Sequence, residues 1–239
     1  NNLAWVYYIE CDFDQVEALY LRALAIQEKA WGLEHVNLVE TLNNLAGVYD
    51  GAGDYSRAAG LYHRALVIQE KALGLDDPGL VNGLRQLGLL YSLQKNYKQA
   101  ELYYKRALVI QEKTLGPDHL ETGRIIDELA LLYYADKRYA QAEFLVARLQ
   151  AILETHLKAD HPALGANLRF WGLVYCAQGR YAEAEPLYLR SLAIFEKSFG
   201  TDADELLGTL NKLADLYRAT GRDNELRQIE QRISRIDDR

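Results

Sequence analysis

The sequence predicts an all-α fold in which pairs of helices stack one after another. One tyrosine recurs every 42 residues, at Tyr7, Tyr49, Tyr91, Tyr133, Tyr175 and Tyr217. Arginine recurs with the same period, at Arg22, Arg64, Arg106, Arg148, Arg190 and Arg232, as does glutamate, at Glu28, Glu70, Glu112, Glu154 and Glu196. A fixed period in the range of roughly 20–50 residues is typical of an array of repeated units. Within each period the apolar residues form two stripes with helical spacing.

The stripes and their end signals predict where each helix lies. In the second period Gly51 and Gly53 end one helix, and Gly74 ends the next. Asp77 followed by Pro78 then restarts the cycle, because Asp caps free N–H groups and Pro suits the first helical turn. The first helices are predicted at 1–10, 35–51, 78–94, 119–136, 162–178 and 203–220. The second helices are predicted at 14–30, 55–73, 97–115, 139–157, 181–199 and 223–236.

Small residues predict that the two helices of a pair pack closely. They lie one turn before each periodic tyrosine, at Ala4, Ala46, Gly88, Ala130, Gly172 and Ala214. A bulky side chain at these positions is expected to overpack the contact, at a cost of roughly 1–3 kcal/mol.

Composition excludes several classes of protein. The net charge of −7 disfavours binding to nucleic acid or to an acidic membrane surface. The chain has no apolar run long enough for a transmembrane helix and no signal peptide. Cys11 and Cys176 are distant in an array, so no disulfide is expected between them, which favours a cytoplasmic protein. Because the sequence begins inside a repeat and without Met, we expect a piece of a longer protein, and a targeting segment upstream stays open.

The repeated residues resemble the tetratricopeptide repeat, with Ala46, Tyr49, Ala58, Tyr62 and Ala65 at its small and aromatic positions. The unit is longer than the common repeat, and the added length, as in 68–74 and 110–116, is similar to the kinesin light chain subclass. The resemblance implies a right-handed α-α superhelix, a solenoid of about six helix-turn-helix units forming a single domain over 1–239. The units are predicted at 1–34, 35–76, 77–118, 119–160, 161–202 and 203–239, the last being a polar cap.

Two features depart from the family pattern. Repeat four has Val146 in place of the tyrosine, Leu149 in place of the alanine and Lys158 in place of the loop glycine, so we interpret it as degraded. The last unit is polar over 223–239, which we interpret as a solubilising cap. Within the given sequence there is also no heptad coiled coil with which to join a kinesin heavy chain.

Candidate binding residues are those that vary from repeat to repeat on the free face of the first helices. The resemblance implies that this face lines a concave groove and that groove asparagines hold a peptide backbone, a role that Asn43, Asn44 and Asn82 match best. Asn and Gln offer donors and acceptors, Arg pairs with carboxylates, and aromatic rings anchor apolar side chains. The candidates are Trp5, Tyr8, Asn43, Asn44, Asn82, Arg85, Gln86, Arg124, Asp127, Tyr134, Arg169, Phe170, Asn211 and Lys212. The alternative for any one of them is a solvated surface residue.

No catalytic or metal site is predicted. His35, His119 and His161 fall in equivalent loops of different repeats, which are too far apart to share an ion, so we interpret them as structural residues. The periodic Glu and Arg residues are expected to form surface ladders between neighbouring repeats. Cys176 is expected to be an inert thiol, and no cofactor motif occurs.

These observations predict a non-enzymatic scaffold that binds a protein or an extended peptide. The candidate columns are close to charge-balanced and contain aromatic anchors, and a ligand with aromatic and acidic residues is preferred. The alternative is a structural or assembly module that acts by self-association or by intramolecular docking within a larger signalling protein. An enzyme is disfavoured, since the chain repeats and a catalytic site requires a singular arrangement of residues.

Overall fold

The computed structural model describes residues 13–238, and all regular structure in that range is helical. The predicted first helix at 1–10 and the residues Trp5, Tyr8 and Cys11 lie outside the described range. The all-α repeat fold predicted from the sequence is confirmed.

The helices alternate between the two types that the stripes predict. The second helices of the repeats are α1 (Phe13–Trp31), α3 (Tyr55–Leu73), α5 (Tyr97–Leu115), α7 (Tyr139–His156), α9 (Tyr181–Phe199) and α11 (Asp223–Asp237). The first helices are α2 (Val39–Gly51), α4 (Val81–Leu93), α6 (Leu120–Ala135), α8 (Pro162–Ala177) and α10 (Leu207–Ala219). One detail differs from the prediction, since a single 3₁₀ turn precedes α2, α4 and α10, at Val36–Leu38, Pro78–Leu80 and Asp204–Leu206.

The chain separates into two compact units, residues 1–117 and 118–239. The first unit contains α1 to α5 and the second contains α6 to α11. The prediction of one continuous domain stays a prediction.

Small residues bring the helices of a pair together as expected. A Cβ atom built on Gly172 in α8 would lie 2.6 Å from Cε1 of Tyr188 in α9, and one built on Gly88 would lie 2.8 Å from Cδ1 of Tyr104. Both tyrosine rings are buried, with 1% and 2% of their surface exposed. Each ring therefore packs directly on the backbone of the neighbouring helix, which is possible because these positions have no side chain.

The loop histidines cap the helices that follow them. Nδ1 of His161 accepts a hydrogen bond from the backbone N–H of Ala163 at 3.1 Å, and His35 and His119 do the same two residues ahead. In the same register the Asp77 carboxylate accepts from the N–H of Gly79 at 2.7 Å. The prediction that these histidines are structural is confirmed, because each satisfies a free N–H at a helix start.

The periodic Arg and Glu residues form the predicted ladders within each unit. In the first unit Arg64 lies 2.6 Å from the Glu28 carboxylate and also donates to the carbonyl oxygen of Leu33 at 2.8 Å. In the second unit Arg232 lies 2.6 Å from Glu196 and also reaches the Thr201 carbonyl. The recurrence of this contact shows that these charges connect one repeat to the loop and helix before it.

The end of α7 departs from the other second helices. The helices α1, α3, α5 and α9 close on a glycine with positive φ, as at Gly74 (92°) and Gly116 (95°), whereas Lys158 occupies that place after α7. The helix ends at His156, and Leu157 adopts an extended conformation with φ −113° and ψ 155°. The substitution of glycine by lysine thus goes with an altered path of the chain where α7 ends.

Candidate functional site

A cavity of about 790 Å³ lies within the second unit. Its walls come from the first helices α6, α8 and α10, together with the last turns of α7. It is lined by Leu120, Glu121, Gly123, Arg124, Asp127, Leu131, Leu149, Leu153, Leu157, Ala163, Ala166, Asn167, Arg169, Phe170, Leu173, Gly208 and Lys212. The volume lies within the range of roughly 300–1,000 Å³ that is typical of ligand pockets.

Five of the predicted site residues meet around this cavity. They are Arg124, Asp127, Arg169, Phe170 and Lys212. The helices α6 and α8 contribute two of these residues each, and α10 contributes one. The variable faces of three first helices therefore line the same cavity. Tyr134 lies beside it, with its ring centre 5.6 Å from that of Phe170 in an edge-on arrangement. Asn211 is exposed on α10.

The basic side chains of the cavity have different partners. Arg124 lies 3.3 Å from Glu121, and Lys212 lies 3.6 Å from Asp215, both one turn away on the same exposed helix face. The guanidinium of Arg169 lies 5.5 Å from the centre of the Phe195 ring and next to Gly208, where a Cβ atom would lie 2.4 Å from its Nη1. Arg169 thus has an aromatic neighbour, whereas Arg124 and Lys212 are in weak, solvated pairs.

Asp127 is one of two carboxylates in the cavity wall, the other being that of Glu121. Burial raises its pKa above the usual value, and the neighbouring Glu128 raises it further. Since both causes disfavour the charged form, Asp127 is destabilised as an anion in the unliganded protein. A cation or a hydrogen-bond donor from a ligand would relieve that cost.

The apolar wall of the cavity was not predicted from the sequence. Leu149 and Leu153 lie on α7 and Leu157 directly follows it, and only Leu149 was singled out from the sequence, as a departure from the family pattern. Leu153 occupies the register that holds Gln27, Gln69 and Gln111 in the first three repeats and Phe195 and Asp237 in the last two, so the change from glutamine to leucine was the available signal. The equivalents of Leu157, Leu73 and Leu115, are 48% and 43% exposed, whereas Leu157 is half-buried and lines the cavity. The leucines of repeat four thus form part of the cavity wall, and they include Leu149, one of its departures from the family pattern.

The first unit contains a smaller cavity of about 630 Å³. Asn43 lines it together with Glu40 of the same helix, the α1 residues Gln27 and Trp31, and Gln69 of α3. Its walls thus include two glutamines in the register of Leu153, which lines the cavity of the second unit. Of the other candidates in this unit, Asn44, Arg85 and Gln86 are half-buried on α2 and α4, and Asn82 is exposed.

The chemistry of the remaining candidate groups is limited. Burial raises the pKa of the half-buried Cys176 thiol, which also accepts a hydrogen bond from the Tyr188 hydroxyl at 3.5 Å, so the thiol is not activated. Within residues 13–238 no three His, Cys, Asp or Glu side chains are placed to hold a metal ion. In the same range, no helix is both long and apolar enough to cross a bilayer.

Comparison with known proteins agrees with the repeat pattern. The tetratricopeptide repeat family matches residues 1–71, 57–113, 84–155 and 163–237. None of the curated proteins matches the chain.

Solved structures of similar fold cover most of the chain. A structure from Podosopora anserina, described as that of nearly identical TPR-like repeats of a kinesin light chain, is 25% identical, with a TM-score of 0.75, over 85% of this chain and 96% of its own. BtubC (BKLC) from P. vanneervenii is 21% identical, with a TM-score of 0.77, over 95% and 91%. The apo form of RapI is 14% identical, with a TM-score of 0.68, over 99% and 97%.

Tetratricopeptide repeats generally mediate contacts between proteins and are generally not enzymes, so the matches support a protein-interaction scaffold. The 42-residue period, the cap and ladder contacts and the family match along nearly the whole chain lead to the same assignment. The chain belongs to the tetratricopeptide repeat family, and its repeats are of the kinesin light chain type.

Proposed function

We propose that the protein is a scaffold that binds an extended peptide segment of a partner on the exposed faces of its first helices. The observation that carries the proposal is the convergence of the variable residues Arg124, Asp127, Arg169, Phe170 and Lys212 on one cavity. A solvated surface would give no reason for such residues to surround a concave, largely apolar space.

The lining of the cavity determines what fits there. Leu131, Leu153, Leu157 and Leu173 offer apolar walls for one or more side chains of the peptide. Three basic residues and two acidic ones line the cavity, so its net charge is +1 and it favours a ligand with an acidic residue next to the apolar one. This combination supports the preference for aromatic and acidic residues.

In the first unit the proposed contacts are polar. Asn43 lines the smaller cavity, and Asn44, Asn82, Arg85 and Gln86 lie along the same helices. Amide side chains supply both donors and acceptors, so they suit the backbone of an extended peptide irrespective of its sequence. The scaffold is expected to work in the cytoplasm, where a free thiol such as that of Cys176 stays reduced.

A peptide-display selection on the purified chain tests the proposal. The selection runs beside the triple variant Arg124→Ala/Phe170→Ala/Lys212→Ala, which removes cavity side chains. The control variant Arg22→Ala/Lys29→Ala/Lys98→Ala removes three exposed cations from α1 and α5 of the first unit. We expect a consensus peptide that binds the parent and the control alike and binds the cavity variant at least tenfold more weakly.

Equal enrichment on all three proteins, or none on any, would contradict binding at the cavity. Light scattering on the same samples then separates the assembly alternative from a simple failure. A change of oligomeric state in the cavity variant, with no peptide enriched on the parent, would indicate that these residues serve self-association. The three proteins must have the same helicity and the same Tm for the comparison to hold.

A further inference from the structure

Two charged side chains that line the cavity of the second unit have no charged or hydrogen-bonding partner within residues 13–238. They are Asp127 of α6 and Arg169 of α8, whose side chains form neither a hydrogen bond nor an ion pair in that range. By contrast, Arg124 and Lys212 lie 3.3 Å and 3.6 Å from a carboxylate one turn away on their own helices. Asp127 and Arg169 also hold the same position in consecutive repeats. The cavity therefore offers one unpaired anion and one unpaired cation.

Asp127 lies on the side of α6 that faces the cavity. Leu120, Asp127 and Leu131 all line the cavity, and their spacing places them along one side of the helix. Asp127 is in the middle of that stripe, with a lining residue on the turn before it and on the turn after it. Its side chain is half-buried, so part of its surface stays accessible. A group that enters the cavity can therefore contact the carboxylate of Asp127.

The surroundings of this carboxylate favour a positive charge. Burial and the adjacent Glu128 both raise the pKa of Asp127, and neither cause is a cation. Arg124 is one turn away on the same helix, but it pairs with Glu121 at 3.3 Å. A cation brought by a ligand would offset both the burial of the charge and the repulsion from Glu128. A neutral donor would supply a hydrogen bond and leave the repulsion in place.

We propose, building on the proposed peptide-binding function, that the bound segment carries a lysine or an arginine whose charged group pairs with the carboxylate of Asp127. A neighbouring apolar side chain of the segment contacts Leu153 and Leu157 on the apolar wall. Arg169 remains available for an acidic residue of the segment. The segment thus contains a basic, an apolar and an acidic residue, and Asp127 determines the preference for the basic one.

Other side chains of a ligand satisfy Asp127 less well. Serine, threonine and the amide side chains donate a hydrogen bond but do not compensate the negative charge. An apolar side chain buries the carboxylate further without a partner, and an acidic one adds a repelling charge. Lysine and arginine combine N–H donors and a positive charge with a stem of CH₂ groups that suits an apolar wall. The site should therefore discriminate between a cation and an anion of the same size.

Three small probes test the inference on the whole chain. They are 3-phenylpropylammonium, 3-phenylpropionate and 3-phenylpropanol, which share an apolar part and differ in charge. Each is titrated against ¹³C-labelled protein while the carboxyl resonance of the Asp127 side chain is followed. We expect the ammonium probe to shift that resonance and to bind Asp127→Asn about tenfold more weakly than the parent, because a charge-assisted hydrogen bond is lost. The carboxylate probe should bind Asp127→Asn at least as tightly as the parent, and the alcohol should lose less affinity than the ammonium.

Matched variants separate this role from a general effect of charge. Asp237→Asn removes an exposed carboxylate from α11 of the same unit and should leave all three affinities unchanged. Arg169→Gln should weaken binding of the carboxylate probe but not of the ammonium probe. Without any probe, Asp127→Asn should have a Tm at least equal to that of the parent, because it removes a charge that has no partner within residues 13–238.

Several results would overturn the inference. Equal affinity of the ammonium probe for the parent and for Asp127→Asn would mean that no cation pairs with this carboxylate. A lower Tm of Asp127→Asn would show that the carboxylate already has a stabilising partner in the protein. Binding of none of the probes to the parent would remove the cavity as a binding site.

The display selection separates this inference from the proposed function. A consensus that depends on the cavity residues but contains no lysine or arginine would reject the pairing with Asp127 and leave the proposed function in place. A basic residue that is present in the consensus for the parent and absent from the consensus for Asp127→Asn would support the pairing. The absence of any enriched peptide would contradict the proposed function and, with it, the assignment of the cation to a peptide.

Discussion

Single residues determine how closely the helices of this protein approach one another. The glycine at 172 allows the Tyr188 ring to lie on the backbone of α8, and the two are so close that a single added carbon would lie 2.6 Å from the ring. Tyr188 has no room to retreat, since only 1% of its surface is exposed. The small residue predicted from the period is therefore a packing requirement at this position.

Gly172→Ala is expected to destabilise the protein by roughly 1–3 kcal/mol, because the added methyl group overpacks a buried ring. Chemical denaturation followed by circular dichroism measures the change. The control is Gly60→Ala on the exposed face of α3, where a Cβ atom meets nothing within 4 Å. The free energy of unfolding of this control should rise by roughly 0.5–1 kcal/mol, because alanine has a higher helix propensity than glycine. Equal effects of the two substitutions would show that packing at Tyr188 does not matter.

Elements of the array begin with a repeated cap, and one of them lacks it. In four loops, a side chain accepts a hydrogen bond from a backbone N–H at the start of the following element; these side chains are those of Asp77, His35, His119 and His161. Ala203 has the same register before Asp204–Leu206 and makes no side-chain cap. The position of each cap could be predicted from the period, whereas the role of histidine as the acceptor became evident only from the bonds it makes.

Ala203→Ser should stabilise the protein by about 0.5–2 kcal/mol, because the hydroxyl can accept from the free N–H of Glu205. His161→Ala should lower the free energy of unfolding by a similar amount, since it removes the acceptor of the Ala163 N–H. Thermal unfolding of the two variants beside the parent measures both effects at neutral pH. The cap interpretation would fail if neither variant changed the Tm.

At the scale of the whole molecule, buried phenols link stability to alkaline pH. Burial raises the pKa of Tyr20, Tyr49, Tyr103 and Tyr134 above the model-compound value, and that of Tyr188 most strongly. Burial, with the hydrogen bond to Glu185, raises the pKa of Tyr217 to about 12. A phenol with a raised folded-state pKa stabilises the fold fully below its unfolded pKa of 10.0, and that contribution is lost as the pH rises through the folded value.

The free energy of unfolding should therefore fall as the pH rises from 10 towards 12. Tyr217→Phe isolates one contribution, because it removes the hydroxyl that donates to Glu185 at 2.9 Å. At pH 7 this variant should be less stable than the parent by about 1 kcal/mol. The difference should shrink above pH 10, where the unfolded parent ionises, and urea titrations from pH 7 to 11.5 measure it. A difference that stays constant across this range would contradict the linkage.

The sequence by itself determined the repeat, the helix pairs and which face of each first helix varies. These features are local or periodic, so apolar spacing, glycines and caps predict them without knowledge of long-range contacts. From that face it also predicted Arg124, Asp127, Arg169, Phe170 and Lys212, which surround the cavity.

Only the tertiary structure showed that these residues line one cavity and which apolar side chains form its wall. Leu153 lies on a second helix and Leu157 directly follows that helix, and only the packing of the neighbouring helices shows that both line the same cavity as Phe170 and Asn167. The pairing of Gln150 with Asn167 joins residues 17 positions apart on different helices. A polar residue at an apolar position of one helix can be interpreted only when its partner on another helix is known, because burial and hydrogen bonding depend on contacts between helices.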